Sequence, residues 1–376
     1  MLLNDLTRQD IELQIGKIID LMRAGKSSDQ IKITLDLPHA KELVSIAKAR
    51  ITNVKDKKIG KPYLMNEEDL RFATNMHVAK WRAKRLASDT IIEIGCGIGV
   101  QSIEFARTCK NVIAIDIDAR KVAYAWENAK AEGVSNITFV DVDGIEYLKK
   151  VKQADVIFVD PDRLATEAHR TLETIKPSIP DLLKIAKRLT VKVAIELPPQ
   201  IQDLTMGGEY EYASVDGRLN RLTVYLGDLM QNPRSAVLLP KGVSIGGAPQ
   251  GTLSKVGAAA YLYDLDPAVE KAGFLGRIAG VALYDFPDGH LVASSRRLKS
   301  LFFKRTFRLL YDGAAGDAIV RKVLLHHSIG KVVLRGSIDP REYWDIRKKY
   351  ESGLKGSIIA HVFLSRGRVL ICEQVD

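Results

Sequence analysis

The chain has 376 residues, of which 46% are hydrophobic, 27% charged and 13 are prolines; this excludes disordered and collagen-like classes and allows roughly two or three domains, each able to bury a core. Its 56 Lys and Arg outnumber 46 Asp and Glu, a net charge of +10, which favours polyanionic partners such as RNA, DNA or an anionic membrane surface. Residues 1–88 hold 17 basic and 11 acidic side chains, 89–200 hold 15 and 17, 201–290 hold 7 and 10, and 291–376 hold 17 and 8. The surplus therefore sits at the two ends. Three cysteines, Cys96, Cys109 and Cys372, form no CxxC or other metal-ligand spacing, so the expectation is a reducing, cytoplasmic compartment with neither a disulfide framework nor a metal.

The first stretch, MLLNDLTRQDIELQIGKIIDLM, carries Asp5, Asp10, Glu12 and Asp20 among its apolar residues and suits an amphipathic helix better than a signal peptide. No apolar run approaches the roughly 20 residues that span a bilayer, so no membrane is expected among the partners. Apolar periodicity predicts helices over 11–22, 40–51 and 67–86, with the basic connector VKDKKIGKP before the last. From Thr90 the pattern changes to short apolar runs alternating with helical stretches, the signature of βαβ units and a parallel sheet. The runs are IIEIG, NVIAID, ITFV, DVIFVD and VKVAIEL. RLTVYL and SAVLLP, with no long helical pattern between them, are expected to form an antiparallel hairpin edge. Residues 240–259 hold five glycines and two prolines and read as a domain boundary. Beyond them, HLVASS, KVVLRG, SIIAHVFLS and RVLICE are strand candidates, with a helix around 340–350. The expected organisation is a helical N-terminal segment at 1–88, an α/β domain at 89–240 and a small α+β module at 241–376.

IIEIGCGIG ends a predicted strand and opens a predicted helix. Gly95, Gly97 and Gly99 let the backbone turn tightly beside a ligand, and a helix start offers unpaired N–H groups. Asp116 lies 21 residues after Gly95, at the end of the next strand, where a carboxylate can accept both hydroxyls of a ribose. The spacing also fits a dinucleotide site, but the third glycine of that fingerprint would fall at Gln101. Asp143, after the third strand, can accept from an adenine amino group, and Asp160-Pro161-Asp162-Arg163 follows the fourth strand at the edge where such sheets bind ligands.

Taken in order and at this spacing, EIGCGIG, VIAIDID, FVDVDG and FVDPDR resemble motifs I to IV of the class I S-adenosylmethionine-dependent methyltransferases. The resemblance implies a Rossmann-like sheet and S-adenosylmethionine as cofactor. It places Glu93, Gly95, Gly97 and Gly99 around the methionine part, with Cys96 a small hydrophobe in the same loop. It also implies Asp116 on the ribose, Ile117 on the adenine face and Asp143 at the adenine N6. DLRFATNMHVAKWRAKRL, YLYDLDPAVEKAGF and the basic tail through GSIDPREYWDIRKKY and FLSRGRVLIC look like the pre-core helix, ferredoxin-like segment and THUMP-like C-terminal domain of one family of these enzymes. That likeness covers roughly residues 50–376.

In nucleic-acid amino methyltransferases motif IV is usually Asn or Asp followed by Pro-Pro and an aromatic; here the stacking aromatic is absent. Asp160 can still orient an attacking nitrogen or hydroxyl, and Asp162 and Arg163 are candidate partners or simply a local ion pair. Thr74, Asn75 and Met76 lie where related enzymes touch the methionine end of the cofactor, although helix capping explains them equally. Glu196, before Pro198-Pro199, reads as a strand-ending turn or a cleft wall. His326-His327 cannot present both rings on one face. Trp81, Trp126 and Trp344 are expected in cores. Arg296, Arg297, Lys299, Lys304, Arg305 and Arg308, then Arg347, Lys348 and Lys349, suggest phosphate contact. The function expected is methyl transfer to RNA, tRNA in particular; the rivals are a non-catalytic RNA-binding protein that retains the pocket, and a methyltransferase acting on protein or a small molecule.

Overall fold

A computed structural model of the chain describes residues 6–35, 39–161, 175–201, 206–250, 253–286, 291–336, 338–365 and 367–375. Contacts divide it into two units, residues 1–215 with 220–233, and residues 216–219 with 234–376.

The first unit begins with helices α1 (Arg8–Arg23), α2 (Ser28–Leu35), α3 (Ala40–Asp56), α4 (Glu67–Phe72) and α5 (Met76–Arg85). Thr7 and Asp10 close α1 with a capping box, and Ile11, Ile15 and Ile18 form its buried stripe at helical spacing. Arg50 of α3 grips Glu12 of α1, Nη2 to Oε1 at 2.8 Å. The single helix expected over 67–86 is two. Asn75 interrupts it, with an extended backbone and a side chain that accepts from the His77 amide and so caps α5.

There follow β1 (Thr90–Ile94), α6 (Val100–Ala106), β2 (Asn111–Asp116), α7 (Ala119–Ala131), β3 (Ile137–Asp141), α8 (Gly144–Lys150), β4 (Val156–Val159), α9 (Ile179–Ala186), β5 (Val193–Leu197), β6 (Glu209–Val215) and β7 (Arg218–Leu226). The strand order is β3-β2-β1-β4-β5-β7-β6. The first five strands are parallel and β7 runs antiparallel to β5. The four residues of β4 and the five of β5 are all buried, as expected when helices cover both faces of a parallel sheet. The order reverses at β1 and β4, so the carboxyl ends of these strands diverge into a crevice suited to a ligand. The core beside this crevice is shared: Ile11, Ile15 and Ile18 of α1 cluster with Ile98, Val100, Ile103 and Tyr124.

The hairpin expected from RLTVYL and SAVLLP is not the one found. The partner of β7 is β6, joined through Asp216 and Gly217 at φ 49° and 67°, the left-handed pair of a tight hairpin turn.

In the second unit, β8 (Arg234–Leu239) and β9 (Val243–Gly247) pair antiparallel. Then come β10 (Lys255–Val256), β11 (Tyr261–Leu265), α10 (Pro267–Lys271), β12 (Ala282–Tyr284), β13 (Val292–Ser294), β14 (Phe303–Ala314), α11 (Asp317–His326), β15 (Ile329–Gly336), α12 (Tyr343–Glu351), β16 (Ile358–Ser365) and β17 (Arg368–Gln374). They build an eight-stranded sheet in the order β10-β12-β13-β11-β14-β17-β16-β15. Val320 and Leu324 of α11 and Tyr350 of α12 bury against Val332, Val362 and Ile371 of that sheet. Among the described residues no helix is long and apolar enough to cross a membrane.

Candidate active site at the carboxyl edge of the sheet

The glycine loop between β1 and α6 is shaped by close approach. Gly95 has φ 81°, and a Cβ there would stand 2.1 Å from the carbonyl oxygen of Asp160. Its amide donates to the Ile115 carbonyl at 2.8 Å, and the Asp160 amide donates to the Ile94 carbonyl at 2.9 Å. The loop is thus stitched to the ends of both β2 and β4, and only glycine fits between them. Gly99, at φ 82°, starts α6 with its missing Cβ 2.9 Å from that of Ala125, which lets α6 and α7 meet.

Asp116 ends β2. Its Oδ2 accepts from the Gly97 amide at 2.8 Å and its Oδ1 from the Asp118 amide at 2.9 Å, so backbone fixes the carboxylate. Next to it Ile117 is 71% exposed, an apolar shelf beside a charged group that core packing does not explain. Val142, after β3, is a second exposed apolar side chain at this edge. Asp143 is exposed and caps α8, its Oδ1 accepting from the Glu146 amide at 3.0 Å.

Glu93 is fully buried on β1 and accepts the Ser102 hydroxyl at 2.5 Å. Burial pushes its carboxyl up to about 8, the Ser102 hydrogen bond opposes this, and the charges of Asp160 and Asp116 add to the rise. At neutral pH Glu93 is therefore mainly protonated. Three carboxyl groups, Glu93, Asp116 and Asp160, thus gather at the ends of β1, β2 and β4. Such an edge suits a ligand with a cationic end and a flat apolar part. Cys96 is buried, and burial holds its thiol well above the ordinary range, which leaves it an inert small hydrophobe. Thr74 is buried in the turn before α5. Asp162 and Arg163 lie outside the described residues.

Behind the edge stands a buried ionic network that sequence reading missed. Arg82 of α5, only 1% exposed, donates to Gln101 Oε1 at 2.8 Å, Glu196 Oε2 at 2.5 Å and Thr223 Oγ1 at 3.2 Å. Its guanidinium carbon lies 4.6 Å from the centre of the Phe158 ring. Glu196 also pairs with Arg221. The end of β5 is therefore neither an open cleft wall nor a simple turn; it is the anion of an Arg-Glu-Arg triad. Arg82 and Glu196 lie 114 residues apart, and nothing in the sequence pairs them. Asn128 of α7 is a second missed link: its amide nitrogen donates to the carbonyls of Leu64 and Ile98, each at 3.1 Å, tying the segment before α4 to the glycine loop.

The tryptophans depart from expectation. Trp126 and Trp344 are exposed, while Trp81 is half-buried and donates to Glu211 at 3.2 Å. The basic run before and along β14 is partly neutralised, Arg305 by Asp264 and Arg308 by Glu373.

A family model described as a methyltransferase domain matches residues 86–211, the span that carries the glycine loop, Asp116 and Asp160. An uncharacterised S-adenosylmethionine-dependent methyltransferase of Mycobacterium tuberculosis strain H37Rv is 26% identical over 288 residues, 74% of this chain and 79% of that protein. An uncharacterised RNA methyltransferase of Gloeobacter violaceus is 33% identical over 98 residues, 26% of this chain and 21% of that protein. Among solved structures, a Porphyromonas gingivalis W83 protein assigned as a methyltransferase matches with a TM-score of 0.75 and 16% identity, covering 98% of this chain and 99% of that one. The likeness in fold therefore runs through the second unit as well.

Proposed function

We propose that this S-adenosylmethionine-dependent methyltransferase acts on RNA, tRNA in particular, and that residues 241–376 form a ferredoxin-like/THUMP-like module that holds the polyanion through its basic segment at 291–376. The observation that carries the donor half is the pairing, at the end of β2, of a backbone-fixed carboxylate, Asp116, with the exposed Ile117. A ribose and an adenine need those two surfaces side by side. In this reading Asp116 accepts from the ribose hydroxyls, Ile117 and Val142 cover the adenine, and Asp143 meets its amino group. Gly95, Gly97 and Gly99 let the methionine part lie against bare backbone, with Thr74 and Glu93 near its polar end.

Bound S-adenosylmethionine supplies an electrophilic methyl on a sulfonium. The chain's own work is placement. Asp116 and Asp160 at the strand ends complement the cationic donor, and Asp160 accepts a hydrogen bond from the attacking nitrogen or hydroxyl, holding it in line with the methyl. The RNA half rests on the 17 basic against 8 acidic side chains of residues 291–376 and on the relative described as an RNA methyltransferase.

Calorimetry with S-adenosylmethionine or its demethylated product tests the donor half. Wild type gives saturable heat, and Asp116→Ala, folded by circular dichroism, loses it; absence of heat with wild type sinks the assignment. Tritiated-methyl transfer to total RNA and to total protein then tests the acceptor. Label confined to protein refutes RNA, and binding without transfer to either points to a non-catalytic RNA-binding role.

A further inference from the structure

Helix α12 is amphipathic in a way that leaves one residue out of place. Tyr343, Ile346 and Tyr350 pack towards the sheet. Trp344 stands off that stripe, 66% exposed, on the face it shares with Arg347, Lys348 and Glu351 at helical spacings of three, four and seven. Large aromatic side chains are normally among the most buried, so this one is retained in water against the hydrophobic effect.

Its surroundings are organised. The Arg347 guanidinium carbon lies 5.5 Å from the Trp344 ring centre, within cation–π reach. Glu351 holds Arg347 there, Oε1 accepting Nε at 3.0 Å, while the same oxygen accepts the Val332 amide at 2.8 Å. Lys349 pairs with Asp317 of α11, and Arg321 of α11 donates to the carbonyls of Lys349 and Ser352 at 2.7 and 3.1 Å. The helix is thereby pinned with its charged face outward. Trp344, Arg347, Lys348, Glu351 and Ser352 line an open surface hollow of about 440 Å³.

From this face we infer a nucleotide-stacking platform for single-stranded RNA: a base lies on the Trp344 ring, and the flanking phosphates meet Arg347 and Lys348. An indole face accepts any base, and two cations a helical turn from it follow the backbone. The inference rests on the RNA reading above and adds to it the place where an unpaired nucleotide is held.

The test is fluorescence anisotropy of the full chain with a labelled oligoadenylate of about 12 nucleotides, over a salt series. Trp344→Ala is expected to weaken binding roughly tenfold with an unchanged salt slope, and Trp344→Phe to restore most of the affinity. Arg347→Gln with Lys348→Gln should lower the slope of log affinity against log salt by about 1.4. Heat of S-adenosylmethionine binding should be unchanged in all three. If wild type binds the oligonucleotide and Trp344→Ala binds equally well, the platform is wrong and the RNA reading stands. If wild type does not bind it, the platform falls, and methyl transfer to total RNA decides the RNA reading separately. Trp344-dependent binding of an oligoglutamate peptide in preference to the oligonucleotide would give the face to an acidic protein partner and overturn the inference.

Discussion

Replacing Arg82 with Met probes the buried network that carries the sheet edge. The guanidinium is 1% exposed and donates to a carboxylate, an amide oxygen and a hydroxyl. Hydrogen bonds to charged groups contribute about 1.5–3 kcal/mol each, and orphaning a buried ion costs about 3–5 kcal/mol. Glu196 retains Arg221 and Met recovers some apolar burial, so the net loss should fall near 3 kcal/mol, at the lower end of that range. For a unit of this size each kcal/mol lowers the midpoint by about 2–4 °C. Scanning calorimetry should therefore show a drop of roughly 6–12 °C in the transition of the first unit. Combining Arg82→Met with Glu196→Gln should cost at least about 1 kcal/mol less than the two single losses added together. A midpoint within about 2 °C of wild type, or strict additivity, would refute the view that the triad ties α5 to β5 and β7.

Two further perturbations act on the donor site itself. Gly95→Ala sets a methyl 2.1 Å from the Asp160 carbonyl oxygen at φ 81°; S-adenosylmethionine affinity should fall more than about tenfold. Gly133→Ala, at φ 69° with nothing within 4 Å, bears similar backbone strain without the clash and should bind normally; equal affinities for both variants would sink the close-approach argument. Glu93→Gln addresses pH. Because burial pushes the folded carboxyl up to about 8 from its ordinary 4.5, its stability contribution is full below the lower value and is lost as pH rises through the higher one, at about 1.4 kcal/mol per pH unit. Urea unfolding between about pH 5.5 and 8.5 should therefore show wild type losing stability relative to Glu93→Gln; parallel curves would contradict the buried, mainly neutral Glu93.

The parallel strands could be read from the sequence because burial on both faces writes them as unbroken apolar runs, and the motifs sit at their ends. Strand β6 could not. Its EYEYASV puts Glu209 and Glu211 in the interior, where Arg85 of α5 neutralises both, so the apolar signal is replaced by charges whose partner lies more than 120 residues away. The same holds for Glu196 and Arg82: each looks like a surface residue until the fold brings the other. Trp344 failed in the opposite direction, since composition alone assigns a tryptophan to the core and only the phase of α12 shows it facing outward.

The isoleucines of α1 share one core with Ile98, Val100, Ile103 and Tyr124, residues that the ribosome adds roughly 80–110 positions later. At about 5–20 residues per second, that interval is on the order of 5–20 s. Helix α1 thus waits for part of its cover, with α2, α3 and the cluster residues between Ile59 and Ala79 to shelter it meanwhile. During that interval the nascent chain presents an apolar stripe to whatever chaperone or neighbouring polysome is at hand.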